Sequence, residues 1–275
     1  MQLHLKKFDI SAIEDDQVVV LIGKRNTGKS FLVKDLLYYH RDIPIGTCVS
    51  ATESANRFYS NIMPGLFIHD EVGPNLVANV LKRQKMVINK LKKEEKDRGS
   101  STIDPRAFLI LDDCLYDSSW VRDKNMRSVF MNGRHYKLLT IITSQYALGI
   151  TPNLRTNIDW VILCRESITA NRRRLYENYA GMFPTFNVFE QVMNACTDNY
   201  ECLVIHLASR SNKLEDQVFW YKADPHESYK IGAKEFWAIH DQMYNESDEE
   251  EEEEMLDLTN LNKRAGPIIT VKKSM

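Results

Sequence analysis

Gln17-Val18-Val19-Val20-Leu21-Ile22 runs directly into Gly23-Lys24-Arg25-Asn26-Thr27-Gly28-Lys29-Ser30, and this junction limits the fold more than any other feature of the chain. A continuous β-branched apolar run is the mark of a strand buried on both faces of a parallel sheet. The eight residues after it fit G-x-x-x-x-G-K-[ST], in the place where such a loop must lie, between a strand and a helix expected from Gly28. Each part meets a separate physical demand. The glycines let backbone N–H groups wrap phosphates at a helix N-terminus, Lys29 reaches the β and γ phosphates, and the Ser30 hydroxyl takes a Mg²⁺ position. ATP and Mg²⁺ are therefore the expected ligands, and Gly23, Lys24, Arg25, Asn26, Thr27, Gly28, Lys29 and Ser30 the expected nucleotide-binding residues.

Further apolar runs at Thr47 to Ser50, Ala107 to Leu111, Leu138 to Thr143 and Trp160 to Cys164 each end in polar or turn residues. Alternation of such strands with helices implies a doubly wound α/β sheet. Asn75 to Arg98 reads as one charged amphipathic helix with Leu76, Val80, Val87 and Leu91 on its apolar side, stopped at Gly99-Ser100-Ser101. After Glu166, helices are expected at Ile168 to Tyr179 and Val188 to Cys196, a strand at Cys202 to Leu207, and a last helix near Ala233 to Tyr244.

Two more strand ends carry chemistry. Phe108-Leu109-Ile110-Leu111-Asp112-Asp113 has the form of a Walker B element. Asp112 is the expected metal-side acid and Asp113 the carboxylate that activates water. Thr140-Ile141-Ile142-Thr143-Ser144-Gln145 ends in a glutamine able to sense the γ-phosphate and orient that water. Charge on the transferred phosphoryl also calls for an arginine, in cis or from a neighbouring subunit. Arg134, in Asn132-Gly133-Arg134-His135, and Arg155, in Pro152-Asn153-Leu154-Arg155-Thr156, are the candidates, and the sequence does not choose between them.

The 275 residues suit one large α/β domain. Residues 1 to 245 are expected to form it, with a core at about 15 to 166 and additions at 167 to 245. Nine of the 38 acids fall between Glu246 and Asp257, and that charge density predicts a disordered tail over 246 to 275. Without the tail, 32 basic residues face 29 acidic ones, a mildly basic body compatible with nucleic acid. The Lys82-Arg83-Gln84-Lys85 stretch, Lys90, Lys92, Lys93 and the Arg172-Arg173-Arg174 triplet are candidate phosphate contacts, but helical solvent faces look the same. Trp120, Trp160 and Trp220 read as core or interface. Five cysteines with no C-x-x-C pair argue against both a zinc site and a disulfide framework. No apolar run approaches a signal peptide or the ~20 residues of a bilayer span, so an intracellular or in-particle protein is expected.

Taken together, GKRNTGKS, FLILDDC, MNGRHYK and TSQYALGITPNLRTNIDWV resemble the poxvirus-type virion DNA-packaging ATPases of large DNA viruses, within the FtsK/HerA superfamily. The resemblance runs in order from Val18 to Glu166. It implies an additional-strand (ASCE, RecA-like) P-loop core, in which one strand separates the Walker A and Walker B strands and the long gap between those motifs has room for it. It further implies a homo-oligomeric ring working on double-stranded DNA, capsid or portal-vertex partners, and a place in the host-cell cytoplasm or viral factory and in the virion. Lys29, Ser30, Asp112, Asp113 and Gln145 take the roles given above. Many superfamily members carry Glu where this chain has Asp113, so the backbone must bring the shorter carboxylate closer. A P-loop small-molecule or nucleotide kinase, and a nucleotide-binding assembly protein without turnover, remain as alternatives.

Overall fold

A computed structural model describes residues 3–114, 120 and 123–243 of the chain; the acidic stretch at 246–275 lies outside the described residues. Eight strands form one sheet: β1 Val18–Ile22, β2 Gly46–Ser50, β3 Ile68–His69, β4 Ala107–Asp112, β5 Leu138–Ser144, β6 Trp160–Leu163, β7 Glu201–His206 and β8 Val218–Lys222. Their spatial order is β3-β2-β4-β5-β1-β6-β7-β8. The strands from β3 to β6 pair in parallel, whereas β7 and β8 add an antiparallel edge. The N-terminal segment continues that edge through Phe8 N–H donating to Trp220 O at 2.8 Å.

Both faces of the sheet are covered, which is why β1 is apolar at every position. Val18, Val20 and Ile22 pack into the core on one face, with α3 (Leu76–Arg98), α4 (Lys124–Asn132), α6 (Thr169–Tyr179) and α7 (Phe186–Cys196). Val19 and Leu21 point to the opposite core, with α1 (Lys29–Tyr39) and Phe236 of α8 (Lys234–Met243). Side chains on a strand alternate between faces, so a strand with helices above and below has no polar side. Each fully buried Val, Leu or Ile contributes about 1.5–3 kcal/mol relative to exposure. Two short helices complete the set, α2 (Glu53–Asn56) and α5 (Pro152–Arg155).

The α/β architecture and the separation of the Walker strands by one strand are as expected, but the separating strand is not in the long gap. It is β5, downstream of the Walker B strand: Val18 to Ile22 pair with Thr140 to Ser144, and Ala107 to Asp112 pair with Leu138 to Thr143. The gap carries β2, β3 and α3 instead, and β2 lies outside β4. Strand patterns report which faces are buried and not which neighbour a strand takes. β8 also goes beyond the elements read from the sequence, although Val218-Phe219-Trp220-Tyr221-Lys222 has the β-branched and aromatic content of a strand. All five cysteines are free and buried, Trp120 and Trp160 are core, and Trp220 is packed partly buried at the edge. No described helix is long and apolar enough to cross a membrane.

Candidate nucleotide-hydrolysis site

Parallel strands end together, and β1, β4, β5 and β6 deliver their last residues to one edge of the sheet. β1 leads into the phosphate loop, whose first residue is fixed by Gly23 N–H donating to Ser144 O at 3.0 Å. Gly23 has no room for a side chain: a Cβ there would lie 2.6 Å from both Cys164 Cβ and Thr27 Oγ1. Gly28 has φ 90°, the left-handed region that suits glycine. It precedes α1 without a capping side chain, which leaves the first-turn N–H groups of an 11-residue helix available to an anion.

Lys29 is buried, and its Nζ donates to Gly23 O at 2.8 Å and Lys24 O at 3.1 Å. The same Nζ lies 3.5 Å from Asp113 Oδ2. Asp112 and Asp113 follow each other at the end of β4 but are held differently. Asp112 is buried and accepts from Thr143 Oγ1 at 2.6 Å. Burial pushes its carboxyl above the ordinary carboxylate range, against the opposing pull of the Thr143 hydrogen bond. Asp113 turns left-handed, with φ 48°. Its N–H donates to the same Thr143 Oγ1 at 2.9 Å, and its Oδ2 accepts from Gln145 Nε2 at 3.0 Å. The Asp113 Oδ1 atom is buried with no hydrogen-bond partner among the described residues.

These contacts join Lys29, Asp113 and Gln145 directly, with Asp112 tied to the group through Thr143. The donor set fits a hard divalent cation and a polyphosphate. Ser30 and Asp112 offer oxygen ligands, Lys29 and the open helix terminus offer positive charge and N–H donors, and Asp113 Oδ1 is a buried acceptor still to be satisfied. Arg25 and Asn26 are exposed on the outside of the loop, and Asn26 is left-handed at φ 61°. Thr27 closes the loop by donating to Lys24 O at 2.8 Å.

Arg134 and Arg155 lie elsewhere. Arg134 pairs with Asp159, whose Oδ2 also accepts from Val18 N–H at 2.9 Å. Both arginines line a cavity of about 560 Å³ with Val18, Asn157 and Asp159. Val18 begins β1 whereas the phosphate loop follows its end, so this cavity is about 16 Å from the loop along the sheet at ~3.3 Å per residue. Neither guanidinium serves the chain's own Lys29–Asp113 centre in this arrangement.

Two residues at the site had no role read from the sequence. Thr143 is one, a hydroxyl in an apolar strand paired in register with Asp112; a threonine among isoleucines was the available signal. Glu166 is the other, nearly buried and 2.7 Å from Lys24 Nζ. Burial raises its carboxyl, but Lys24, the Ile168 N–H and Asn171 outweigh that and hold it below its usual range. Of the basic residues singled out on helices, the arginine triplet is engaged within the chain. Arg172 donates to Glu166 O and pairs with Glu190 at 3.2 Å, Arg173 lies over the Phe186 ring, and Arg174 donates to Asn171 Oδ1 at 2.9 Å. Burial draws Arg83 down to about 10.

The sheet order, with β5 between the P-loop strand and the strand ending in two acids, defines an additional-strand P-loop NTPase. The chain belongs to a family of large-DNA-virus proteins that includes uncharacterized protein L437 of Acanthamoeba polyphaga mimivirus and uncharacterized protein 075L of Invertebrate iridescent virus 6. It is 40% identical to the first over 245 residues (89% of this chain, 85% of the relative). To the second it is 38% identical over 258 residues (89% of this chain, 96% of the relative). No family model matches the chain. Among solved structures, the genome packaging NTPase B204 from Sulfolobus turreted icosahedral virus 2 in complex with ATP-gammaS shares the fold. The TM-score is 0.50 at 16% identity, covering 78% of this chain and 100% of that one. EssC (ATPases 2 and 3) from Geobacillus thermodenitrificans matches with a TM-score of 0.50 at 13% identity, over 82% of this chain and 43% of that one. The resemblance read from the sequence is thus borne out in the fold and in the viral relatives.

Proposed function

We propose that this chain is an ATP-hydrolysing motor that translocates double-stranded DNA and packages a viral genome into its capsid. The observation that carries the reading is the convergence of Lys29, Asp113 and Gln145 within 3.5 Å contacts at one sheet edge, beside Asp112. Binding the triphosphate asks Lys29 to exchange the carbonyls of Gly23 and Lys24 for the β and γ phosphates. Asp113 accepts the proton of the attacking water, and Gln145, already bonded to Asp113, orients that water. Ser30 and Asp112 would hold Mg²⁺, which supplies positive charge against the phosphates. A water-activating carboxylate paired with a glutamine suits hydrolysis better than transfer to an acceptor hydroxyl.

The DNA part rests on the mildly basic body, the large-DNA-virus relatives and the fold shared with a packaging NTPase. A homo-oligomeric ring, capsid or portal-vertex partners, and residence in the host-cell cytoplasm or viral factory and in the virion belong to the same reading. The test is steady-state phosphate release with Mg²⁺ and ATP, with and without linear duplex DNA, across a salt series. The motor predicts release without any acceptor, stimulated by DNA, with stimulation fading as salt rises. Hydrolysis indifferent to DNA in an oligomeric preparation would remove the motor and leave the ATPase. ATP binding with no release would favour a kinase or an assembly protein.

A further inference from the structure

A phosphate loop accounts for the triphosphate end of a nucleotide and says nothing of the base. Tyr200 lies beside that loop: a Cβ placed on Gly28 would be 3.5 Å from Tyr200 Cδ1. The residue is 65% exposed, an unusual state for a large aromatic side chain beside a buried site. No ring contact or side-chain hydrogen bond of Tyr200 occurs among the described residues. Phe31, one turn along α1, is also exposed at 69%, but its ring already meets Phe58 edge-on at 6.1 Å.

The backbone that presents Tyr200 is strained. Asn199 and Tyr200 have φ 50° and 63°, two consecutive left-handed residues without a glycine. Glu201 N–H donates to Asp198 O at 2.9 Å across them, closing a tight turn into β7. Such turns favour Gly, Asn and Asp at both central positions. Asn199 obeys that preference and Tyr200 breaks it. Asp198 is in turn paired with Arg165, two residues past the end of β6. The turn is therefore tethered to the same sheet edge as the phosphate loop. A local rule broken at such an edge, with surrounding contacts holding the outlier in place, marks a position selected for something other than stability.

We propose that Tyr200 is the base-stacking residue of this site, its ring forming a wall against the purine of a bound nucleoside triphosphate. The inference rests on the nucleotide-binding reading above and adds the substrate class. Stacking reads the size of a π-face and not its hydrogen-bonding edge, so ATP and GTP bind alike and both bind more tightly than CTP and UTP.

The variants are Tyr200→Asn and Tyr200→Phe. Asparagine suits the left-handed turn better than tyrosine does, so the first removes the ring without endangering the fold; the second keeps the ring. Equilibrium binding of ATP and of inorganic tripolyphosphate is measured for each. Tyr200→Asn is expected to weaken ATP about ten-fold, as loss of one base–aromatic stack predicts, and to leave tripolyphosphate unchanged, while Tyr200→Phe binds both as the native chain does. Unchanged ATP affinity in Tyr200→Asn overturns the proposal, and so does equal weakening of ATP and tripolyphosphate. A native chain that binds neither ligand overturns the nucleotide reading itself, a result seen before any variant is made.

Discussion

Asp113 carries a left-handed backbone that costs a non-glycine residue about 1–2 kcal/mol, and its N–H bond to Thr143 Oγ1 holds it there. Asparagine tolerates the same conformation. Asp113→Asn is therefore expected to fold and bind ATP as the native chain does while turnover falls by about 10²- to 10⁴-fold, the usual worth of a general base. Single-turnover hydrolysis alongside equilibrium ATP binding checks this, and native turnover would strip Asp113 of the base role. Asp112 makes the opposite prediction for stability. Burial raises its folded carboxyl above the ordinary aspartate value of 3.8, so the folded chain binds this proton more tightly than the unfolded chain. Stability from this group is full at low pH and is lost as pH rises from about 3.8 through the folded value. Asp112→Asn abolishes that loss. In thermal unfolding without nucleotide, the variant should gain on the native chain as pH climbs from 4 to 7, at the expense of hydrolysis. A gap that narrows over that range contradicts the assignment.

The elements show how much of this was legible beforehand. β1, β4, β5, β6, α1 and α3 fall within a residue or two of the positions their patterns imply, because a strand buried on both faces and a helix capped by Gly99 leave strong local signals. The loop and the two acids were legible for the same reason, as motifs bound to strand ends. Relations between elements were not legible. Nothing local says that β5 inserts between β1 and β4, so the role of Thr143 as a shared partner of Asp112 and Asp113 was hidden. Gln84 is the same lesson on a helix. Within Lys82-Arg83-Gln84-Lys85 it looks like part of a solvated face, yet it is 1% exposed, and its Nε2 donates to Pro105 O at 2.7 Å and Tyr136 O at 2.8 Å. It ties α3 to the segments leading into β4 and β5. Gln84→Leu removes the donor to two half-buried carbonyls, and a total loss of about 1–3 kcal/mol should lower the urea midpoint. A variant as stable as the native chain would mean that water or a shifted donor replaces the amide.

Over the whole molecule, the two arginines pose the remaining question, since both line a cavity at the amino ends of the strands while hydrolysis is assigned to the carboxyl ends. If subunits form a ring, such a surface can meet only a neighbour's site. The two differ in what else they do. Arg134 neutralises Asp159, a buried carboxylate that also holds the start of β1. Removing it leaves that charge with one N–H partner, so Arg134→Ala is expected to lose stability. Arg155 lies over the Tyr179 ring at 5.5 Å and has no carboxylate partner among the described residues. A cation with little intramolecular duty is the better donor to a neighbour's transferred phosphoryl. Arg155→Ala should therefore keep its thermal midpoint within about 1–2 kcal/mol of stability, the worth of a cation–π contact, while eliminating ATPase activity in the assembled state. Mixed with Lys29→Ala subunits, whose own sites are dead but whose Arg155 is intact, it should regain activity, because the site of an Arg155→Ala subunit can take the guanidinium of the subunit next door. No recovery in such mixed rings would place the arginine's action within its own subunit, against the distance between the two ends of β1.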